Sequence, residues 1–131
     1  MKTVQFDIHG DVPSKKNSRK SVQVGRMRFT VPGKYHDAWH KEASREMLVH
    51  CRSLKGAPYQ FAHVEIAFYP ATKRRSDLSN KAESVMDLLV NAGILTDDNW
   101  YVVPCLTLRL GGVDKSNPRA SVILTIYENN L

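Results

Sequence analysis

Residues 74–99 read RRSDLSNKAESVMDLLVNAGILTDDN. Apolar residues recur in this segment at the spacing of one helix face, and a glycine follows the last of them. We predict a helix from Asn80 to Ala92 that is ended by Gly93 as a C-terminal cap. Asn80, Glu83 and Asp87 fall on the arc of this helix opposite its apolar stripe. The predicted core stripe consists of Ala82, Val85, Met86, Leu89 and Ala92.

The segments on either side of this helix show alternating strand and helix patterns. Val4, Phe6 and Ile8 alternate with polar residues, as in a strand with one buried face. The other predicted elements are a second strand around Val22 to Val31, a helix from Tyr35 to about Ser53, a third strand at Val64, Ile66 and Phe68, and a C-terminal β-hairpin formed by Tyr101 to Leu110 and Ala120 to Tyr127. We therefore predict a single α+β domain over residues 1–131, with a mixed β-sheet, two main helices and a C-terminal β-hairpin.

The charge balance of the chain points to an anionic partner. Lys and Arg total 19 against 13 Asp and Glu, which gives a formal net charge of +6 and a pI near 9.5. Such a surface attracts polyanions, so nucleic acid is the first candidate partner, although net charge can also serve solubility. The strongest candidate contact is the basic loop after the first strand, which carries Lys15, Lys16, Arg19 and Lys20.

Several other protein classes are disfavoured by the sequence. Cys51 and Cys105 match no zinc or CxxC spacing and lie among apolar residues, so we predict reduced, buried thiols. His36 and His40 share a predicted exposed helical turn but lack a third ligand at standard spacing, which argues against zinc. No segment contains the roughly 18 consecutive apolar residues of a membrane helix. We expect a cytoplasmic protein that does not associate with membranes.

The segment quoted above also gathers five carboxylates in this basic chain: Asp77, Glu83, Asp87, Asp97 and Asp98. Each has an ordinary structural interpretation. Glu83 can form a capping box with Asn80, and Asp77 can be stabilised by the helix dipole. Asp87 can lie on a solvated face, and Asp97 with Asp98 can form a turn.

A shared role requires the acids at the two ends of the helix to converge. A helix of roughly 12 residues is about 18 Å long, and residues 94–98 in extended form cover up to about 17 Å, so a return along the helix is possible. Converging carboxylates would repel one another unless a cation neutralised them, and hard oxygen ligands favour Mg²⁺ or Mn²⁺. A metal beside a basic surface indicates phosphodiester hydrolysis, with Arg74, Arg75 and Lys81 binding phosphates.

The motifs GDVPSKKNSR, VPGKYHDAWHKEA and RRSDLSNKAESVMDLLVNAGILTDDNW resemble the RusA family of Holliday junction resolvases, over most of the chain. The resemblance implies a homodimer that binds four-way DNA junctions and cuts symmetrical strands with Mg²⁺. Implied metal ligands are Asp77, Asp97, Asp98, Glu83 and Asp87, and implied catalytic residues are Asp77, Asp98, Glu83 and Lys81. Implied DNA-binding residues are Lys15, Lys16, Arg19, Lys20, Lys73, Arg74, Arg75 and Asn80.

Two positions depart from the family motif. Ser79 stands where the family has a second aspartate, and Glu83 stands where it has a lysine. Glu83 and Lys81 are a plausible exchange of carboxylate and cation, but they point about 200° apart on a helix. The sequence therefore leaves two main expectations, a Mg²⁺-dependent junction endonuclease and a junction-binding protein with weak or lost cleavage. An RNA-binding domain is less favoured, since no RNP-type strand or GxxG motif is present.

Overall fold

A computed structural model describes residues 1–14, 20–31 and 34–127 of the chain. The elements in chain order are β1 (Lys2–His9), β2 (Lys20–Val24), β3 (Met27–Val31), α1 (Lys34–Ser53), β4 (Ala62–Tyr69), α2 (Leu78–Asn91), β5 (Leu106–Leu110) and β6 (Arg119–Ile126). The main sheet has the strand order β1-β6-β4-β5, and β2 pairs with β3 in a separate antiparallel ribbon. This arrangement confirms the predicted α+β class with a mixed sheet and two main helices.

The centre of the sheet is formed by β6 and β4. In β6, buried residues alternate with partly exposed ones, so one face of the strand points into the core. β6 is antiparallel to both β1 and β4, whereas β5 is parallel to β4. Because β4 and β5 are parallel neighbours, α2 lies in the crossover that connects them, and its orientation is set by the sheet.

The helices cover the apolar face of the sheet. The prediction for α1 is confirmed, with Trp39, Ala43 and Met47 buried at four-residue intervals. In α2 the predicted stripe is buried except for the half-buried Ala92. Gly93 has a φ of +77°, and its amide donates to the carbonyl of Val90 at 3.1 Å, as expected for a glycine that ends a helix.

The predicted C-terminal hairpin is wrong. Its two runs do form strands, but β4 lies between β5 and β6 and pairs with both. Two apolar runs that follow one another in the chain are typical of a hairpin. In this sheet, however, β4 has two edges that need partners, and β6 pairs with one edge and β5 with the other. The first run is also shorter than predicted, because residues 101–105 form turns and loop before β5 begins at Leu106.

Three smaller expectations are corrected by the fold. The second predicted strand is two strands, β2 and β3, joined by a turn in which Gly25 has a φ of +61°. His36 is buried and not exposed, because it faces the core side of α1. Both cysteines are free, but Cys105 is exposed, since it precedes an edge strand, and Cys51 is only partly buried. No helix of the described ranges combines the length and apolar character that crossing a membrane requires.

Candidate functional site

The first turn of α2 holds Asp77 at the position where the helix begins. Asp77 is the N-cap residue, with extended backbone angles, and its side chain makes no capping hydrogen bond. Asn80 Nδ2 donates to Asp77 Oδ2 at 3.2 Å. The capping box that Asn80 and Glu83 could have formed is absent, because the helix begins at Leu78 and places Asn80 inside it. Asn80 instead orients an exposed carboxylate at the positive end of the helix dipole.

One side of α2 forms an acidic cavity with the loop that precedes β5. Glu83 and Asp98 both line this concavity of about 220 Å³, together with Ser79. Its apolar wall is formed by Ala82, Met86, Val103, Leu106 and Leu108. Ser79 and Glu83 are one helical turn apart, so they lie on the same face. The fold thus brings a carboxylate from within the helix and one from the returning loop to the same cavity, whereas the convergence considered from the sequence joined Asp77 with that loop.

The two aspartates of the returning loop have different electrostatic environments. The amide of Asp98 donates to Asp97 Oδ1 at 2.7 Å, and Asn99 Nδ2 donates to Asp97 Oδ2 at 3.1 Å. These hydrogen bonds lower the pKa of the Asp97 carboxyl. The pKa of Asp98 is raised, first by burial, then by Asp97 through hydrogen bonding and charge, and also by the charge of Asp87. Asp97 is therefore an acceptor that shapes the turn, whereas Asp98 carries an unfavourable negative charge.

The carboxylates around Asp98 are oxygen donors of the kind that Mg²⁺ prefers, but among the described residues they do not form a complete ligand set. A cation beside Asp98 would offset the charges of Asp87 and Asp97 that disfavour ionisation, and the donor set consists of carboxylate oxygens, which Mg²⁺ prefers. Within residues 1–14, 20–31 and 34–127, no three His, Cys, Asp or Glu side chains form a group able to hold a metal ion. Asp77 does not line the acidic cavity, so an ion shared by Asp77 and Asp98 stays a prediction.

Lys81 lies on another side of α2 and does not share the surroundings of Glu83. Its Nζ donates to the carbonyl of Val12 at 2.8 Å and lies 3.9 Å from Asp11 Oδ1. Burial lowers the pKa of Lys81, and the charge of Asp11 opposes that shift. Lys81 thus ties α2 to the segment after β1, consistent with the predicted angular separation from Glu83.

Further contacts hold the segment after β1 against the helices. Ser84 is fully buried, and its hydroxyl donates to the carbonyl of Pro13 at 2.8 Å. The Tyr35 hydroxyl donates to the carbonyl of Asp11, and burial together with the charge of Asp11 raises the pKa of Tyr35. Sequence reasoning missed Asp11 and Tyr35, because a turn aspartate and a tyrosine at a helix start carry no local sign of a long-range contact.

The basic residues Lys73, Arg74 and Arg75 lie exposed between β4 and α2. All three line a cavity of about 380 Å³ that has a mostly apolar wall. Arg74 and Arg75 also line an adjacent cavity of about 300 Å³ beside Asp11. Lys81 contributes to both. The predicted phosphate-binding residues of this region are therefore close together and accessible.

The predicted basic loop is largely not covered by the described residues. Lys15, Lys16 and Arg19 lie outside them, and Lys20 is the first residue of β2. Their predicted contact with DNA stays a prediction. The described segment that precedes them in the chain, Asp11 to Ser14, lines the cavity that contains Arg74 and Arg75.

The histidine pair of α1 has a structural explanation. The rings of His36 and His40 are stacked with their centroids 6.1 Å apart. His40 Nδ1 lies 3.4 Å from the Ser44 hydroxyl, and Asn91 Nδ2 lies 3.3 Å from His40 Nε2. His40 therefore connects α1 with the end of α2.

Comparison with models of known protein families gives no match for this chain, and comparison with curated proteins gives no significant match.

Proposed function

We propose that this protein is a Mg²⁺-dependent structure-specific endodeoxyribonuclease that hydrolyses phosphodiester bonds in four-way or otherwise branched DNA. The observation that supports this proposal best is the arrangement around α2. The acidic cavity containing Glu83 and Asp98 lies on one side of the helix, while Arg74 and Arg75 line cavities near its first turn. Asp77 stands where the helix begins, next to those cations in sequence.

The proposed site divides binding and chemistry between the two groups of charges. The carboxylates of Asp77, Glu83, Asp87, Asp97 and Asp98 are the candidate ligands of Mg²⁺, or of Mn²⁺. Bound there, the ion would lower the pKa of a water nucleophile and offset charge on the phosphate. Arg74 and Arg75 would bind the phosphates that flank the reacting one through charge-assisted hydrogen bonds. Asn80 would keep the Asp77 carboxylate oriented through their hydrogen bond.

The proposed substrate leads to a proposed assembly. Two symmetrical cuts in a four-way junction need two sites related by a two-fold axis, so the active form would be a homodimer. Recognition would rely on shape and backbone charge, because phosphate contacts carry no direct sequence information. Such an enzyme would act on DNA in the cytoplasm of a bacterial cell.

A second candidate is a junction-binding protein with weak or lost cleavage, and two observations favour it. Ser79 lines the acidic cavity at the position where the resembled family has an aspartate, so this cavity has one carboxylate fewer than the family motif would supply. The resembled family has a lysine at the position of Glu83. Lys81, two residues earlier in the chain, instead contacts Val12 and Asp11 on another side of the helix. Neither change removes the exposed cations that would bind DNA.

A junction cleavage assay tests both candidates. A labelled synthetic four-way junction is incubated with the protein across titrations of Mg²⁺ and Mn²⁺. The nuclease proposal expects paired nicks that are lost in Asp77→Asn and Asp98→Asn but retained in Asp37→Asn, a matched change at an exposed carboxylate of α1. Intact junctions at every metal concentration, with folded protein, would reject it. Tight junction binding in EDTA without nicking would then support the second candidate.

A further inference from the structure

The cavity bounded by the end of β4, the first turn of α2 and the end of β5 has two chemically distinct parts. Phe68, Leu78, Leu110 and Val113 contribute apolar wall, and Lys73, Arg74 and Arg75 contribute the cationic part. Its volume of about 380 Å³ falls within the range of about 300–1,000 Å³ that is typical of small-ligand sites. The cavity is separate from the acidic one, which lies against a different set of side chains.

The apolar wall of this cavity is partly exposed to solvent. Leu110 is 59% exposed and Val113 is 46% exposed, although both are large apolar side chains. They lie beside a group of cations, and the hydrogen bonds and ion pairs found among the described residues give Lys73, Arg74 and Arg75 no acidic partner. An apolar surface next to unneutralised cations is complementary to a ligand with a flat apolar body and an attached negative charge.

We propose that this cavity binds a single unpaired nucleotide, with the base against Leu110 and Val113 and the flanking phosphates on Arg74 and Arg75. The proposal rests on the proposed function and adds to it a subsite for a base released from pairing at a branch point. Ser76 and Leu78 line the cavity and flank Asp77 in the chain. A nucleotide bound here would therefore direct its neighbouring phosphodiester toward Asp77 and the start of α2.

A comparison of two single-stranded oligomers isolates the base contact from the phosphate contacts. The probes are a short fluorescent oligothymidylate and an abasic oligomer of the same length, with affinities measured by fluorescence anisotropy in EDTA. Since the abasic oligomer would lose the apolar contact of the base with Leu110 and Val113, the protein should bind the oligothymidylate about 5-fold tighter or more. Equal affinity for the two oligomers would overturn the proposal, because it would mean that only phosphates are bound.

Substitutions within the cavity assign the effect to it. Val113→Ser and Leu110→Ser should each reduce the preference for the oligothymidylate while leaving affinity for the abasic oligomer unchanged. Leu48→Ser is the matched control, since Leu48 is a 60% exposed leucine of α1. Val113 lies outside the strands, so this variant keeps the test valid if Leu110→Ser does not fold. A preference that persists in Val113→Ser would contradict the proposal.

The cationic part should behave in the opposite way. Arg74→Ala with Arg75→Ala should weaken binding of both oligomers by the same factor and reduce the dependence of log K on log salt by about 0.7 for each lost phosphate contact. Weakening confined to the oligothymidylate would contradict the assignment of phosphates to these residues.

Two further outcomes separate this proposal from its alternatives. Light scattering on Val113→Ser that shows a dimer becoming a monomer, without any change in base preference, would make the cavity a subunit contact and overturn the proposal. Because binding is measured without metal, base preference in a protein that never cleaves junctions would support the subsite and reject only the nuclease. Junction cleavage without base preference would reject only the subsite.

Discussion

Replacing Ser84 with alanine tests how α2 holds the segment between β1 and the basic loop. The Ser84 side chain is fully buried, and its hydroxyl donates at 2.8 Å to the carbonyl of Pro13. Removing the hydroxyl leaves a buried carbonyl without this donor, which costs about 1–3 kcal/mol. Alanine regains about 0.5 kcal/mol through its higher helix propensity. We therefore expect the free energy of unfolding to fall by about 0.5–2.5 kcal/mol.

The measurement is urea denaturation of the native protein, Ser84→Ala and Ser79→Ala. Ser79 is the matched control because it lies in the same helix with an exposed side chain. The m-value should stay constant and the midpoint should fall only for Ser84→Ala. For a chain of 131 residues, each kcal/mol lost should lower Tm by about 3–5 °C. Equal unfolding free energies for the two variants would refute the reasoning, since the Pro13 carbonyl would then not depend on Ser84.

Three further expectations concern charge, packing and thiol reactivity. The raised pKa of Asp98 means that ionisation of this carboxyl destabilises the folded state. The Tm of Asp98→Asn should therefore rise above that of the native protein as the pH increases past the pKa of an unfolded carboxyl group. A higher Tm only in acid would contradict this. Gly111→Ala would place a Cβ 2.6 Å from Tyr69 Cε1, so it should lower the free energy of unfolding by about 1–3 kcal/mol. The same change should cost clearly less in a protein that already carries Tyr69→Leu, and urea denaturation measures both costs. An aromatic disulfide reagent should modify the exposed Cys105 in a fast phase and Cys51, whose pKa is raised by burial, in a slow phase. If Cys105→Ser removed the slow phase and kept the fast one, this order would be contradicted.

The helices were predictable because their signals are local. In α1, Trp39, Ala43 and Met47 recur at intervals that place them on one face, and burial of that face stabilises the helix. In α2, Gly93 ends the helix because it adopts a positive φ that other residues avoid. The start of α2 was placed two residues too late, since Asp77 and Asn80 are both suitable capping residues and only the backbone decides between them.

The candidate site was predictable in part. The sequence identified Glu83 and Asp98 as candidate metal ligands, and the fold brings both to one cavity, which Asp77 does not line. It contains no signal for the contacts of Lys81 and Ser84 with the segment after β1, because those partners are about 70 residues away in the chain. Nor does local pattern reveal that Leu110 and Val113 line a cavity with Arg74.

The sequence by itself determined the α+β class, the two helices, the positive charge and the candidate acidic and basic residues, since each of these depends on composition or on short-range spacing. Tertiary structure decided the strand order β1-β6-β4-β5, which cannot be deduced from local alternation because any strand with an apolar face can pair with several others. It also decided which charges face the same cavity. That grouping depends on how α2 packs against the sheet, which is a property of the whole core and not of any single segment.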